Sequence, residues 1–493
     1  MMAGIGSRPL GSCPDAMTGP LSRARSAVVF ALGVFAVALC WEGVGWAFRR
    51  GDAYLYGDEI GNLTLYAGVS YRQILHLFPE WIYNDRPLGI AVERLLFDMH
   101  GLRYAAQLRY FLAIHFANLA MAFFLYRRLR LSTPLSIAVV GLAGSVTPTA
   151  ATATYLGAVF DVLCLFFLLG STLTLFGNTR QRQVASALLF LLALRTKEIA
   201  IMAPLIFTVL VLYRIPWRGF GQAAAGAARA LWLHYLIAIV FAIRYSSFLP
   251  RMRASVPASD PYYLDVRLGT AVKSLAYYTG CIFGIDEFLS RHSAAVVLGF
   301  AAVLVYALLR RSGGIVFGIA AYLLLLLPVL FLGTMRSLYY VYGPQFFLVL
   351  AACLLIQDAM VPIRRERARW TAAVVVAVAI LALAVGLRRS FGFRSEIWFT
   401  WTVRSICGRT ARDVAARLPG LQPDTHVYVS HGPDRPWLLA QGPCDYLNLI
   451  ARTRSISCFL GDPNSMAAAY TADPVPRKLL LDYARDGSFT VER

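Results

Sequence analysis

Long apolar runs separated by short arginine-rich stretches divide most of this chain, and this alternation restricts its fold more than any other feature. The first run extends from Ala27 to Phe48, and several others approach the roughly 20 residues that a helix needs to cross a bilayer. Only 15% of the residues are charged, against about 25% in ordinary soluble proteins. The sequence therefore predicts an all-α polytopic membrane protein.

The arginines indicate which way the spans run. The net charge of +20 would also suit a nucleic-acid-binding protein, but the basic residues cluster between apolar runs, as they do in cytoplasmic loops. Clear clusters lie at residues 127–130 and 364–367. They predict about 11 spans in the plasma (inner) membrane, with a cytoplasmic N-terminus, an extracytoplasmic C-terminal domain and no nucleic-acid partner.

Two segments complicate the count of spans. Residues 184–194 make only about 16 Å of helix, too short to cross unaided, so the polar residues 195–198 that follow are predicted to lie recessed below the outer surface. Residues 271–288 either cross the membrane, or they lie along its outer face or re-enter from it. We favour the second arrangement, because residues 293–309 then cross inward and the arginines 310–311 become cytoplasmic.

Composition divides the chain into three parts. Residues 1–26 are rich in Gly, Pro and Ser and predict a disordered cytoplasmic tail. Residues 27–388 are predicted to form the membrane domain, with a long first outer loop at residues 49–105. Residues 391–493 have the composition of a soluble protein and are predicted to form a small extracytoplasmic domain.

Local patterns in this last part predict an α/β fold. Residues 410–418 have a helical pattern, residues 426–430 alternate like a strand, and residues 431–434 are typical of a turn. If the domain lies outside the cytoplasm, two of its cysteines could form a disulfide, and the sequence leaves every pairing open. These cysteines are Cys407, Cys444 and Cys458.

Charged side chains from distant segments are predicted to meet at the outer face of the membrane. Charges at membrane depth are costly, so they tend to line a cavity or to pair with one another. An acid pair beside three cations resembles a site for a phosphate-bearing substrate with a base next to it, because Arg and Lys bind phosphate through charge-assisted hydrogen bonds. The residues are Asp58, Glu59, Arg86, Lys197, Glu198 and Arg336.

Each of these residues also has a plainer structural explanation. The two acids could be ordinary solvated loop residues, and the arginine before Pro87 could cap an interfacial helix. Lys197 and Glu198 could form an ion pair that ends a helix, and Arg336 could extend to the membrane interface. A histidine inside an apolar span, such as His115, is more typical of a hydrogen-bonded structural group than of a catalyst.

The order of these residues along the chain resembles that of the GT-C glycosyltransferases, including the protein O-mannosyltransferases. The Asp58-Glu59 pair just after the first span is similar to their signature acid pair. The sequence Arg86-Pro87-Leu88 is similar to part of their first-loop pattern, and His115 takes the place of a histidine in their next span.

Two later motifs extend the resemblance, which covers residues 52–342. Lys197-Glu198 matches a Lys-Glu motif of the family, and Arg336 with Tyr339 matches an Arg-x-x-Tyr element at the start of a late span. The chain departs from the family pattern at Met335, where an acid is usual.

The resemblance implies a GT-C-like fold and transfer of a sugar from a polyprenyl-phosphate donor, with inversion, to an acceptor hydroxyl at the outer leaflet. Asp58 would be the general base, and Glu59 would orient the acceptor or share that role. Arg86, Lys197 and Arg336 would hold the leaving lipid phosphate. With these cations no cofactor is required, and a divalent metal is left open.

The acceptor in this cell-envelope reaction is left open among lipid, polysaccharide and protein. Substrate-binding roles would also fall to His115, Glu198 and Tyr339. The alternative is a transporter or flippase of a lipid-linked envelope precursor, which should place its charges near the bilayer midplane and on broken helices. Here most charges lie in loops or at the outer ends of spans, which favours chemistry at the membrane surface. A third possibility is a non-catalytic envelope scaffold.

Overall fold

Helices make up most of the structure, a computed structural model of the chain. It describes residues 20–49, 54–55, 57–66, 69–75, 86–177, 179–214, 220–246, 263–332, 335–363, 365–390, 396–431, 444–451, 455–484, 486 and 488–492.

The helices up to residue 390 are α1 (Pro20–Arg49), α2 (Asp58–Tyr66), α3 (Tyr71–Ile74), α4 (Pro87–His100), α5 (Tyr104–Arg128), α6 (Thr133–Ser145), α7 (Thr147–Ala153), α8 (Val159–Thr174), α9 (Arg180–Leu194), α10 (Ala203–Arg214), α11 (Phe220–Ser246), α12 (Leu268–Phe283), α13 (Asp286–Arg291), α14 (Ser293–Leu309), α15 (Gly313–Leu330), α16 (Tyr342–Ala359) and α17 (Glu366–Ser390). Short 3₁₀ turns at Leu156–Ala158, Glu198–Met202 and Leu338–Val341 lead into α8, α10 and α16.

The described residues confirm the helical membrane class. Six helices are long and apolar enough to cross a bilayer, and α6 with α7 would make a seventh if this pair, bent by 61°, counts as one span. Shorter apolar segments occur at Arg25–Leu39, Glu198–Tyr213 and Ser293–Leu309. The total of about 11 spans stays a prediction.

Several boundaries differ from the predicted ones. Helix α1 already begins at Pro20, within the predicted tail, and residues 1–19 lie outside the described residues. The sequence of residues 147–154 predicts a small polar outer loop, but Thr147–Ala153 form helix α7. Val146 is extended, which ends α6, and Pro148 falls in the first turn of α7, where proline is favourable.

The described residues of the first outer loop are mostly helical. Helix α3 starts at a capping box between Ser70 and Gln73, and α4 starts with Pro87. Arg94 on α4 donates from Nη1 to the Tyr66 carbonyl oxygen at 2.6 Å, which ties α4 to the end of α2. The loop therefore forms a packed platform on which charged residues have fixed positions.

The sequence did not decide whether residues 271–288 cross the membrane. Three helices occupy this region and the segment that follows it. Helix α12 ends at Gly284, whose φ of +68° suits glycine, and short α13 leads into α14. Helix α12 packs beside α7 and beside the 3₁₀ turn Leu338–Val341. It therefore lies next to the segments that carry Arg336 and Tyr339.

The C-terminal part forms the predicted α/β domain. It contains α18 (Glu396–Arg417), β1 (His426–His431), α19 (Asp445–Ile450), β2 (Ser457–Gly461), α20 (Pro463–Ala472), β3 (Lys478–Tyr483) and β4 (Phe489–Glu492). The strand order is β2-β1-β3-β4. Strand β1 runs parallel to both neighbours, with Val427 opposite Cys458 and Leu479, and β4 runs antiparallel to β3. The predicted turn lies mostly in residues 432–443, outside the described residues.

A disulfide links Cys444 to Cys458, which answers the pairing question that the sequence left open. It joins the residue before α19 to β2, and Cys407 on α18 is buried and unpaired. Helix α19 is thus covalently attached to the sheet on one side. On its other side it packs against α2, the helix that carries the acid pair.

Candidate active site

The acid pair lies at the start of α2, and its two members face different surroundings. Gly57, with a φ of +62°, turns the chain into the helix, and Asp58 and Glu59 form its first turn. Asp58 is exposed and has no hydrogen bond or ion pair within the described part of the chain. Glu59 is buried, with 2% of its surface accessible. Only Asp58 is free to meet a substrate.

Glu59 is fully engaged with the C-terminal domain. Arg404 on α18 donates to both Glu59 oxygens, from Nη1 to Oε2 at 2.8 Å and from Nη2 to Oε1 at 2.6 Å. The Leu156 amide also donates to Oε1, at 2.6 Å. The expectation that Glu59 orients the acceptor or shares the base role does not fit these contacts, because neither oxygen is available.

Arg404 connects several distant segments around this pair. Its guanidinium donates to the carbonyl oxygens of Tyr54 at 2.7 Å and Thr154 at 3.2 Å, and it stacks over the Tyr104 ring at 4.3 Å. Its side chain has no accessible surface. The C-terminal domain is therefore joined to the first loop through a completely buried charge pair.

A second ion pair fixes the start of α4. Arg86 donates from Nε to Glu198 Oε2 at 2.8 Å and from Nη2 to Oε1 at 2.6 Å. The Leu88 amide donates to the Arg195 carbonyl oxygen at 3.2 Å, which holds the same two segments together. Arg86 and Glu198 are both half-buried, at about one third exposed side chain. The predicted meeting of these two segments is therefore present.

Lys197 pairs with an acid that was not among the predicted residues. Its Nζ donates to Asp161 Oδ1 at 2.5 Å, and both side chains are buried. The same ammonium lies 5.0 Å from the Tyr340 ring centre and 5.7 Å from that of Tyr339. Lys197 and Glu198 thus do not pair with each other, because consecutive residues in an extended stretch point to opposite sides.

Of the three cations predicted to hold phosphate, Arg336 is the one without an ion-pair partner among the described residues. Its guanidinium lies 5.4 Å from the Tyr277 ring centre, and its buried Nε has no hydrogen-bond partner there. Tyr339, three residues later, stacks on Tyr155 at 6.1 Å. The Tyr155 hydroxyl in turn lies 3.6 Å from the position that a Cβ on Gly57 would take. Tyr155 therefore bridges the Arg336 segment and the acid helix.

His115 lies apart from these charges, inside the helix bundle. Its Nδ1 shares a 2.7 Å hydrogen bond with the Tyr342 hydroxyl, and Asn118 donates to the same hydroxyl at 3.2 Å. His115 is 2% exposed. The expected substrate-binding role does not fit this location, and the structural explanation does. His115 supports the start of α16, just after Tyr339.

A third carboxyl group lies beside the acid pair. Glu93 on α4 is 7% exposed, and its Oε1 accepts from Asn62 of α2 at 3.3 Å. Burial raises the pKa of Glu93 well above its ordinary value, and the negative charges of Glu59 and Asp58 raise it further against the opposing effect of the Asn62 hydrogen bond. Glu93 is therefore harder to ionise than an ordinary glutamate.

Among the described residues, no group of three or more His, Cys, Asp or Glu side chains is arranged to hold a metal ion. A cavity of about 20 Å³ beside Asp161, bounded also by Cys164 and Tyr340, is large enough for one water molecule.

The sequence patterns did not identify three charged residues of this region as part of the site. Asp161 had a usable signal, because an acid inside an apolar span is costly and so marks a pairing partner. Glu93 lies on an amphipathic helix, where an acidic residue is ordinary, so only its burial in the structure marks it as unusual. Arg404 had no signal, because its partner Glu59 is 345 positions away.

A glycine allows α4 to approach α8 closely enough to place Arg86. A Cβ on Gly89 would lie 2.2 Å from Cδ1 of Phe160. The Arg86 guanidinium lies 5.5 Å from the centre of the same ring. The close contact between the loop helix and the membrane helix therefore requires the absence of a side chain at residue 89.

We expect Gly89→Ala to lower stability by about 1–3 kcal/mol, because α4 or Phe160 has to move to make room for the methyl group. The measurement is the thermal midpoint of the purified protein in detergent. Gly299→Ala is the matched control, since a Cβ there meets nothing within 4 Å and alanine favours the helix. Equal midpoints for the two variants would contradict the close approach.

Comparison with known proteins gives only structural neighbours. Neither a protein-family model nor a curated protein matches the chain. Two structures of ArnT from Cupriavidus metallidurans, in the apo state and bound to undecaprenyl phosphate, each align with 93% of this chain at 14% identity, with TM-scores of 0.48 and 0.49. They are covered over 93% and 97% of their own length.

An apo oligosaccharyltransferase from Archaeoglobus fulgidus aligns with 92% of this chain and 69% of its own at 11% identity, with a TM-score of 0.49. Each of these structures is 14% or less identical to this chain, with a TM-score below 0.5. At such identities and TM-scores they do not determine the reaction, which has to be argued from the residues of the site.

Proposed function

We propose that this protein is a membrane glycosyltransferase that moves a sugar from a polyprenyl-phosphate donor to an acceptor hydroxyl. The observation that carries the proposal is the pair of unengaged charges of opposite sign. Asp58 and Arg336 each lack an ion-pair partner in the described part of the chain, and Tyr155 lies between their segments. Most other charges nearby are already paired with one another.

In the proposed reaction, Asp58 accepts the proton of the acceptor hydroxyl. The acceptor oxygen forms a bond to the anomeric carbon, and the bond from that carbon to the phosphate oxygen breaks. The electron pair leaves with the polyprenyl phosphate, so one proton, one new bond and one broken bond balance the step. Attack opposite the leaving group inverts the anomeric configuration.

Arg336 is proposed to hold the phosphate as its negative charge develops. Arg86 and Lys197, expected from the sequence to share this role, are paired with Glu198 and Asp161, so each pair is close to neutral. Their contribution is then to position the phosphate end of the site and the Tyr339–Tyr340 segment. Together the three cations and two acids leave one net positive charge, which Arg336 supplies.

The C-terminal domain is proposed to lie outside the cytoplasm, and α2 with it. The Cys444–Cys458 disulfide supports this orientation, because disulfides persist in oxidising compartments and are rare in the cytosol.

The test is incubation of the purified full-length protein with a panel of polyprenyl-phosphate sugars, followed by detection of released polyprenyl phosphate. We expect release from at least one donor, and an increase in the donor KM of about tenfold or more for Arg336→Gln, since hydrogen bonds to a charged group are lost. Arg412→Gln, at an exposed position of α18, is the control. Movement of intact donor across vesicle membranes without release of lipid phosphate would instead favour a transporter.

A further inference from the structure

Tyr155 lies just after α7, and the buried ion pair holds the backbone on both sides of it. On one side, the Thr154 carbonyl oxygen accepts from Arg404 Nη2 at 3.2 Å. On the other side, the Leu156 amide donates to Glu59 Oε1 at 2.6 Å. The pair that joins the C-terminal domain to α2 therefore also fixes the backbone from which the Tyr155 side chain extends.

The tip of the Tyr155 ring lies close to the backbone of two glycines. A Cβ on Gly157 would lie 2.9 Å from Cζ of Tyr155 and 3.0 Å from its hydroxyl oxygen. A Cβ on Gly57 would lie 3.6 Å from the same hydroxyl oxygen. Gly57 directly precedes Asp58, and its φ of +62° turns the chain into α2. The tip of the tyrosine therefore lies beside the turn that presents the proposed base.

The face of the Tyr155 ring meets the segment that carries Arg336. It is stacked on Tyr339, with ring centres 6.1 Å apart and an angle of 24° between the planes. Tyr339 belongs to the 3₁₀ turn Leu338–Val341, which packs against α7. The Lys197 ammonium lies 5.7 Å from the Tyr339 ring centre. One aromatic side chain thus lies between the start of α2 and the Arg336 segment.

We propose that Tyr155 is a positioning residue of the sugar transfer, and that its ring is the spacer that sets the placement of Asp58 relative to Arg336. The proposal rests on the glycosyltransferase function above. The proposed base and the proposed phosphate-binding cation come from distant parts of the chain, so packing alone fixes their relative placement. A tyrosine suits a spacer because its side chain is rigid, with only two torsion angles.

The reaction is sensitive to this placement. The acceptor oxygen, the anomeric carbon and the phosphate oxygen have to lie in line, and a misplacement of about 1 Å can lower a rate about 10²-fold. Removing the spacer leaves both charges in the protein but allows their segments to shift. The expected signature is therefore a lower kcat with little change in donor KM.

The first test compares Tyr155→Leu with Phe300→Leu in the full-length protein. Phe300 on α14 is also in a stacked ring pair, with the Tyr322 ring centre 5.6 Å away, so both variants lose a similar packing contact. We expect Tyr155→Leu to lower kcat about 10²-fold, because the two segments shift without the ring. Donor KM should stay near the wild-type value, since the Asp58 and Arg336 charges remain. Phe300→Leu should keep the wild-type kcat.

The readout is release of polyprenyl phosphate per mole of folded protein, isolated by gel filtration in detergent. The donor is the polyprenyl-phosphate sugar that the wild type cleaves fastest, and the acceptor is whichever of a methyl glycoside, a serine-containing peptide and water supports the fastest release. Thermal midpoints of the two leucine variants should fall by similar amounts. A loss of kcat confined to Tyr155→Leu is then not a folding effect.

The second test asks whether a change beside the ring acts through the ring. We expect Gly157→Ala to lower kcat about tenfold, because its methyl group would lie 2.9 Å from Cζ of Tyr155 and push the ring tip aside. In the Tyr155→Leu background the same substitution should cause no further loss, because the crowded ring atoms are gone. Gly299→Ala, whose methyl group meets nothing within 4 Å, is the control in both backgrounds.

Three results would overturn the positioning role. The first is a wild-type kcat in Tyr155→Leu. The second is an unchanged kcat with a raised donor KM, which would make Tyr155 a donor-binding group instead. The third is an equal loss from Gly157→Ala with and without the Tyr155 ring. If the wild type itself releases lipid phosphate from no donor, the glycosyltransferase function is wrong and the positioning role is wrong with it.

Discussion

Asp58→Asn is expected to lower the rate of sugar transfer about 10²- to 10⁴-fold, the usual contribution of a positioned general base. Asparagine keeps the size of the side chain and its place in the first turn of α2, but it cannot take a proton. Because Asp58 is exposed and has no partner among the described residues, the substitution should not disturb the fold. Release of polyprenyl phosphate from the donor, with saturating acceptor, is the measurement.

Two controls separate chemistry from folding. Glu287→Gln removes an equally exposed acid on α13, whose weak contact with Arg291 spans 3.9 Å, and should leave transfer unchanged. The thermal midpoint of the Asp58→Asn protein should match that of the wild type. Near-normal transfer by Asp58→Asn would rule out this residue as the base.

The largest effect on stability is expected from Arg404→Gln, at about 3–5 kcal/mol, because it leaves the Glu59 charge buried without a counterion. Glu59→Gln should have a cost of the same order, since it leaves the buried guanidinium uncompensated. Arg412→Gln, two turns further along the same helix and exposed, should change stability by no more than about 0.5 kcal/mol. Thermal midpoints in detergent and the fraction of protein with an intact disulfide are the readouts.

The double variant Glu59→Met with Arg404→Met distinguishes a coupled pair from two separate effects. Removing both charges avoids an unpaired one, so the double variant should be more stable than either Gln variant. It should not recover fully, because the Tyr54 carbonyl oxygen loses its donor Arg404 and the Leu156 amide loses its acceptor Glu59. Additive costs would show that the two charges do not depend on each other.

Much of the fold follows from local patterns in the sequence. The apolar runs predicted the helical membrane class, and alternation at residues 426–430 predicted strand β1. Helix α2 in the first loop was not predicted, because a short amphipathic segment beside a long apolar run resembles connecting chain. Helix α4 was considered only in the alternative explanation that Arg86 caps an interfacial helix. Helix α7 was missed because Thr-Pro-Thr is typical of a turn as well as of a helix start.

The sequence predicted most of the charged residues of the candidate site, but not which of them form ion pairs with one another. Arg86 was singled out from its position in the first outer loop, and Lys197, Glu198 and Arg336 from their positions at the ends of apolar runs. Which acid meets which cation depends on tertiary packing, so the sequence could not show that Asp161 takes Lys197. For the same reason Glu59 looked equivalent to Asp58, although one faces outward and the other is enclosed.

The order of synthesis along the chain affects when the buried Glu59–Arg404 ion pair can form. Glu59 is inserted early, and the guanidinium that neutralises it is synthesised only some 345 residues later. Until then the first loop carries a carboxylate that cannot be enclosed at low cost. The final arrangement of the acid helix therefore has to wait until Arg404 has been synthesised.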